Sequence, residues 1–133
     1  MARIIYVEDD DLMGHVVQEV LTQAGHLIGV VPHGTLGFET IAFKKPELVI
    51  LDLGLPGMTG IEVLKHLRQI SSTYMIPILV LTANQSAEAA EQAMGAGAND
   101  VMLKPFVPAD LIARVADVLS VHGFGNDLIR RDS

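Results

Sequence analysis

The chain has 133 residues, half of them hydrophobic, with 16 acidic against 9 basic residues for a formal net charge of −7, and no cysteine. That composition excludes a disordered chain, a disulfide framework, a thiolate metal site and a cysteine nucleophile, and without a Lys/Arg cluster it argues against binding nucleic-acid phosphates. The length suits one domain, and neither a signal-peptide core nor the roughly 18 apolar residues of a membrane span occurs, so a soluble cytoplasmic domain is expected. Short apolar runs then alternate with segments of helical spacing. Arg3–Val7 is nearly continuous Ile and Val, the pattern of a strand buried on both faces. Leu12, Val16, Val17, Val20 and Leu21 form the stripe of a first helix, with Asp11 as its expected N-cap, Asp10 merely exposed, and Gly25 as its C-cap. Leu27–Val31 reads as the second strand. A helix near Gly34–Phe43 follows, weakened by Gly37. Leu48–Leu53 is the third strand. Ile61, Leu64 and Leu67 mark a helix from Gly60 to about Ile70, and Pro77 precedes the fourth strand, Ile78–Thr82. The alanine-rich stretch Ala87–Met94 forms a helix readily but buries little area, so loose packing is expected there. Val101–Leu103 is the fifth strand. Leu111, Ile112, Val115, Val118 and Leu119 define the last helix, with Pro108 near its first turn. The expected domain covers residues 1–121, leaving 122–133 as a tail or the start of a linker.

Strict alternation of strands and helices implies a parallel sheet covered by helices on both faces through right-handed crossovers. Five strands suit the flavodoxin-like (βα)5 doubly wound order 2-1-3-4-5, whose ligands bind at the carboxyl ends of the strands. Those ends are polar here. The first strand runs into Glu8, Asp9, Asp10 and Asp11, the third into Asp52, the fourth ends at Thr82, and the fifth at Lys104-Pro105. In this order strands one and three are neighbours, about 4.8 Å apart, so Glu8, Asp9 and Asp52 converge. Clustered carboxylates raise one another's pKa unless a cation neutralises them. Only one lysine is placed nearby, so a bound cation is the natural resolution, and oxygen ligands with room for water suit magnesium. An acidic turn could instead be merely solvated, yet an aspartate interrupting a buried apolar strand is costly unless it is used. His15, His26, His33, His66 and His122 show no metal-ligand spacing and read as structural or surface residues.

Four segments, Ile-Tyr-Val-Glu-Asp-Asp at 5–10, Leu-Asp-Leu-Gly-Leu-Pro-Gly-Met-Thr-Gly at 51–60, Leu-Val-Leu-Thr-Ala at 79–83 and Gly-Ala-Asn-Asp-Val-Met-Leu-Lys-Pro-Phe at 97–106, each lie at a strand end. Through them the chain resembles the receiver domain of two-component response regulators over roughly residues 3–120. The resemblance implies that Asp52 is the phosphoacceptor, attacking a phosphoryl group carried by a histidine kinase's phosphohistidine. It implies that Asp9, Asp52 and the Gly54 carbonyl hold magnesium directly and Glu8 through water, while Lys104 stabilises charge on the transferring oxygens. Thr82 would hydrogen-bond the phosphoryl group and draw in Ala83 and the loop behind it, and the Lys104–Pro105 bond would be cis. The chain departs from the family at Val101, where a switching Tyr or Phe is common, so the signal would travel through the Thr82 loop and the fourth helix. Gly54 and Asn84 occupy positions that in the family tune the access of hydrolytic water.

The implied function is a phosphorylation-controlled switch, not a metabolic enzyme, that catalyses only its own phosphorylation and dephosphorylation. Its partners would be a sensor histidine kinase or phosphotransfer protein and, through the surface of helix four, strand five and helix five, a downstream protein or output domain. Neither a nucleic acid nor a membrane is expected to bind this domain. A haloacid-dehalogenase-like phosphatase would need a second aspartate where Gly54 stands. A flavodoxin-like FMN carrier would need a Ser/Thr-rich loop where the acidic cluster stands. A degenerate receiver, serving only as an interaction module, would not need the acidic pair, Asp52, Thr82 and Lys104 together.

Overall fold

Burial on both sides explains why β1 (Arg3–Val7), β3 (Leu48–Leu51) and β4 (Ile78–Thr82) are apolar without alternation: every residue but Arg3 is buried. The computed structural model describes residues 1–122. β2 (Leu27–Val31) and β5 (Asp100–Leu103) are more exposed because they form the sheet's edges. The sheet is parallel, in the order β2-β1-β3-β4-β5. Its neighbours are α1 (Asp11–Gln23), α2 (Gly34–Lys44), α3 (Gly60–Arg68), α4 (Ala87–Ala96) and α5 (Pro108–His122).

Successive strand residues point to opposite faces, which gives two cores. On one face Ile4, Tyr6, Leu48, Ile50, Leu79 and Leu81 meet Val17 and Leu21 of α1 and Leu111, Val115 and Val118 of α5. On the other, Val7, Val49, Leu51, Ile78 and Val80 meet Ile41 of α2, Val63, Leu64 and Leu67 of α3, and Ala93 of α4. Full burial of each large aliphatic side chain contributes about 1.5–3 kcal/mol, so the central strands form a stiff base for the loops at their carboxyl ends.

Several boundaries differ from the sequence expectation. The N-cap of α1 is Asp10, not Asp11: Asp10 has extended backbone (φ −82°, ψ 113°) and its Oδ1 accepts the Met13 N–H at 3.1 Å. Asp11 is already helical, with its carboxylate in the first turn. Gly25 lies just beyond the C-cap Ala24, in the left-handed region at φ +97°. α2 forms in full, because Gly37 serves packing: a Cβ there would stand 2.7 Å from Val7 Cγ1, so glycine lets the helix approach β1. β3 stops at Leu51, and β5 begins at Asp100. α4 runs on to Ala96 and buries only Ala89 and Ala93, while α5 extends one residue past the expected domain end. The expected tail, apart from His122, lies outside the described residues. No described helix is long and apolar enough to cross a membrane.

Candidate functional site

Each strand end delivers its polar residue to the same rim of the sheet. The register pairs Val7 with Leu51, so Glu8 and Asp9 leave β1 beside Asp52 leaving β3, and the Asp52 N–H donates to the Val7 carbonyl at 3.1 Å. On the other side Thr82 pairs with Leu103, and the Lys104 N–H donates to the Thr82 carbonyl at 2.8 Å. The start of α3 presses on the Asp52 turn, with the Gly60 N–H donating to the Leu53 carbonyl at 3.0 Å. A Cβ at Gly60 would stand 2.2 Å from the Asp52 carbonyl oxygen, so only glycine permits this approach. The Lys104–Pro105 peptide bond is cis.

Glu8, Asp52 and Thr82 are buried, at 2%, 8% and 3% exposure, whereas Asp9 is exposed. One carboxylate oxygen from each of Glu8, Asp9 and Asp52 lies within 4.8 Å of the others. The single ammonium is unevenly shared: Lys104 Nζ is 2.6 Å from Glu8 Oε1 and 3.7 Å from Asp52 Oδ1. Glu8 Oε1 also accepts the Tyr6 hydroxyl at 2.6 Å, and Asp52 Oδ1 accepts the Leu53 N–H at 2.9 Å. Burial opposes the charged form of Glu8, but the hydrogen bonds from Lys104 and Tyr6 outweigh it and hold this carboxyl below its ordinary range. Burial and the neighbouring Glu8 charge push Asp52 up to about 6, against the opposing pull of Lys104 and the Leu53 N–H.

Three carboxyls facing one ammonium leave the cluster short of positive charge, and that shortage adds to burial in raising Asp52. An all-oxygen donor set of this kind fits a hard divalent cation such as magnesium. Among the described residues it is the one group of three or more acidic, histidine or cysteine side chains close enough to hold a metal. The histidines have other work: His26 Nδ1 accepts the Ala2 N–H, and the His33 side chain caps α2. Gly54, on the loop after Asp52, has open space where a side chain would be. Val101, half-buried in β5, packs against the α2/α3/α4 core.

Thr82 Oγ1 accepts the Asn84 N–H at 3.1 Å, Asn84 Oδ1 accepts the Ser86 N–H at 3.0 Å, and Ser86 Oγ accepts the Ala89 N–H at 3.1 Å. These bonds run from the site through the loop of Ala83 to the N-cap of α4. The sequence reading missed Tyr6, although a hydroxyl two residues before Glu8 must share its strand face. It also missed Arg68 on α3, whose guanidinium donates to the carbonyls of Gly97, Tyr74 and Ile76 and to Asn99 Oδ1. That side chain ties the far end of α4 to the entry of β4.

A five-stranded parallel sheet in this order, with acidic residues, threonine and lysine at the strand ends, is the frame of the receiver domains that the sequence resembles. The family model of the response regulator receiver domain matches residues 4–116, and the chain belongs to that family. Protein RcaC of Microchaete diplosiphon is 38% identical over 117 residues, 88% of this chain and 18% of that protein. The DNA-binding response regulator MtrA of Mycolicibacterium paratuberculosis is 38% identical over 113 residues, 85% of this chain and 49% of its own. The chain thus spans half or less of the length of these two relatives. Among solved structures, the BeF3-activated N-terminal receiver domain of Klebsiella pneumoniae RstA superposes with a TM-score of 0.82 at 35% identity, covering 88% of this chain and 97% of that one. Chemotaxis protein CheY4 of Vibrio cholerae superposes with a TM-score of 0.84 at 29% identity, covering 90% and 99%.

Proposed function

We propose that Asp52 accepts a phosphoryl group from the phosphohistidine of a sensor histidine kinase or phosphotransfer protein, and that the modification resets the surface of α4, β5 and α5. The observation that carries this reading is the setting of Asp52: a buried carboxylate beside Glu8 and Asp9, 3.7 Å from the Lys104 ammonium. An Asp52 carboxylate oxygen attacks phosphorus as the P–N bond breaks, and the bonding pair leaves on the imidazole nitrogen. Glu8, Asp9, Asp52 and the Gly54 carbonyl would hold magnesium, which when bound offsets negative charge on the phosphoryl oxygens. Lys104 supplies the protein's own positive charge by leaving Glu8 for a phosphoryl oxygen.

The Thr82 hydroxyl then donates to the phosphoryl group. Moving Thr82 disturbs its bond to the Asn84 N–H and, through Asn84 and Ser86, the first turn of α4. The start of α4 offers little resistance, since the helix buries only Ala89 and Ala93 and Arg68 holds its far end. With Val101 in place of a ring, this loop is the route to the surface where Met94, Leu103 and Val107 are exposed. A downstream protein or output domain reads that surface, in the cytoplasm, and the domain's own catalysis is confined to gaining and losing its phosphoryl group.

Amide hydrogen exchange before and after addition of magnesium and beryllofluoride, a phosphoryl mimic, tests the reading. Protection is expected to change at residues 83–104 as well as at 8–11 and 52–58. A change confined to the latter two segments contradicts the proposed route.

A further inference from the structure

The side chain of Tyr6 is fully buried in the core under α1 and α5, and its hydroxyl is the one side-chain polar group in the buried part of β1. That hydroxyl donates to Glu8 Oε1 at 2.6 Å, the oxygen that Lys104 Nζ also holds at 2.6 Å. Glu8 Oε2 accepts the Asp10 N–H at 3.3 Å, so both ends of the carboxylate are fixed. Among the described residues Lys104 is the only positive charge on Glu8, and the proposed function requires it to move to the phosphoryl group. Its departure takes the ammonium donor from Oε1, and an unpaired oxygen on a buried carboxylate would be strongly disfavoured. A phenol solves that problem without adding charge, because it satisfies Oε1 while leaving the negative charge of Glu8 in place for the metal side of the site.

We propose that Tyr6 is a positioning residue of the phosphorylation site, whose hydroxyl orients Glu8 and stays on Oε1 when Lys104 departs. The inference rests on the reading of Asp52 as phosphoacceptor, and its test separates the two. Phenylalanine keeps the ring and removes only the donor. Partners that orient a metal's ligands from behind are worth about 10–100-fold in metal affinity, and Glu8 is one carboxylate of the cluster, so Tyr6→Phe is expected to weaken magnesium binding about tenfold.

The chain carries its own reporter. It has two tyrosines and no tryptophan, and the other tyrosine, Tyr74, is 52% exposed. Tyr74→Phe therefore leaves Tyr6 as the sole emitter, and its emission responds to what the hydroxyl bonds. Two measurements on the full chain decide the matter: calorimetric titration of magnesium into wild type and Tyr6→Phe, and tyrosine fluorescence of Tyr74→Phe as magnesium and then beryllofluoride are added. An affinity loss of about tenfold, with an emission change on beryllofluoride as Lys104 leaves Oε1, supports the proposal. Lower folding stability with unchanged magnesium affinity is the behaviour of a core tyrosine that merely found an acceptor, and overturns it. If Tyr6→Phe does not fold, the emission of Tyr74→Phe decides alone, and an unchanged signal overturns the proposal. Wild type that binds magnesium and is phosphorylated at Asp52, beside an indistinguishable Tyr6→Phe, refutes the role of Tyr6 only. Wild type that binds no magnesium refutes the proposed function and this inference together.

Discussion

Replacing Asp52 by asparagine is expected to stabilise the metal-free protein, by an amount that depends on pH. Burial and Glu8 raise Asp52 from 3.8 to about 6 in the folded state. Such a carboxyl contributes fully below its unfolded pKa of 3.8, and the contribution is lost as pH rises through about 6. At about 1.36 kcal/mol for each tenfold change in proton affinity, the loss is about 3 kcal/mol. Asparagine keeps the volume and can still accept the Leu53 N–H, but carries no charge at any pH. The variant and wild type are therefore expected to be equally stable near pH 4 and to diverge by about 2–3 kcal/mol above pH 6. Urea denaturation in EDTA from pH 4 to pH 8 reads this directly, as a midpoint shift of about 1–2 M at an unchanged slope. Equal midpoints at pH 7.5 would refute the claim that Glu8 and burial strain Asp52. A gap of the same size at pH 4 would show that the gain comes from packing rather than charge.

Magnesium is expected to raise wild-type stability, by about 2.7 kcal/mol at a hundred times its dissociation constant, and to do nothing for Asp9→Ala; thermal unfolding with and without the ion measures both. Thr82→Ala is expected to leave phosphorylation of Asp52 largely intact while abolishing the exchange response of residues 83–104, which hydrogen exchange with beryllofluoride checks. Arg68→Ala removes four hydrogen bonds and leaves the Gly97, Tyr74 and Ile76 carbonyls without the guanidinium, and is expected to cost about 2–4 kcal/mol in urea denaturation, with Asp52 still modified. Loss of modification in that variant, at a temperature where it remains folded, would contradict a purely structural role for Arg68.

The sheet was legible because burial on both faces leaves a plain mark: Ile50, Leu51, Leu79 and Leu81 sit in runs with no polar partner to alternate with. Knowing that strands one and three are neighbours then brings Glu8, Asp9 and Asp52 together, since each ends an apolar run. What the sequence hides depends on contacts between distant elements. Gly37 looks like a break in α2, and only the distance to Val7 shows why a helix needs glycine there. Asp10 and Asp11 have equal cap chemistry, and the choice is made by the backbone angles of one residue. Lys104 could be placed at the cluster but not apportioned within it, and its closer partner is Glu8 rather than Asp52. Tyr6 passes as one more large strand residue until its hydroxyl is seen on Glu8.

The central claim is that Asp52 becomes an acyl phosphate. The full chain incubated with acetyl phosphate and magnesium, then digested in acid and mapped by mass spectrometry, is expected to carry a single hydroxylamine-labile phosphoryl group on the peptide containing Asp52, absent in EDTA and in Asp52→Asn. A phosphoryl group that survives hydroxylamine, maps to another residue, or persists in Asp52→Asn would contradict the account at its root.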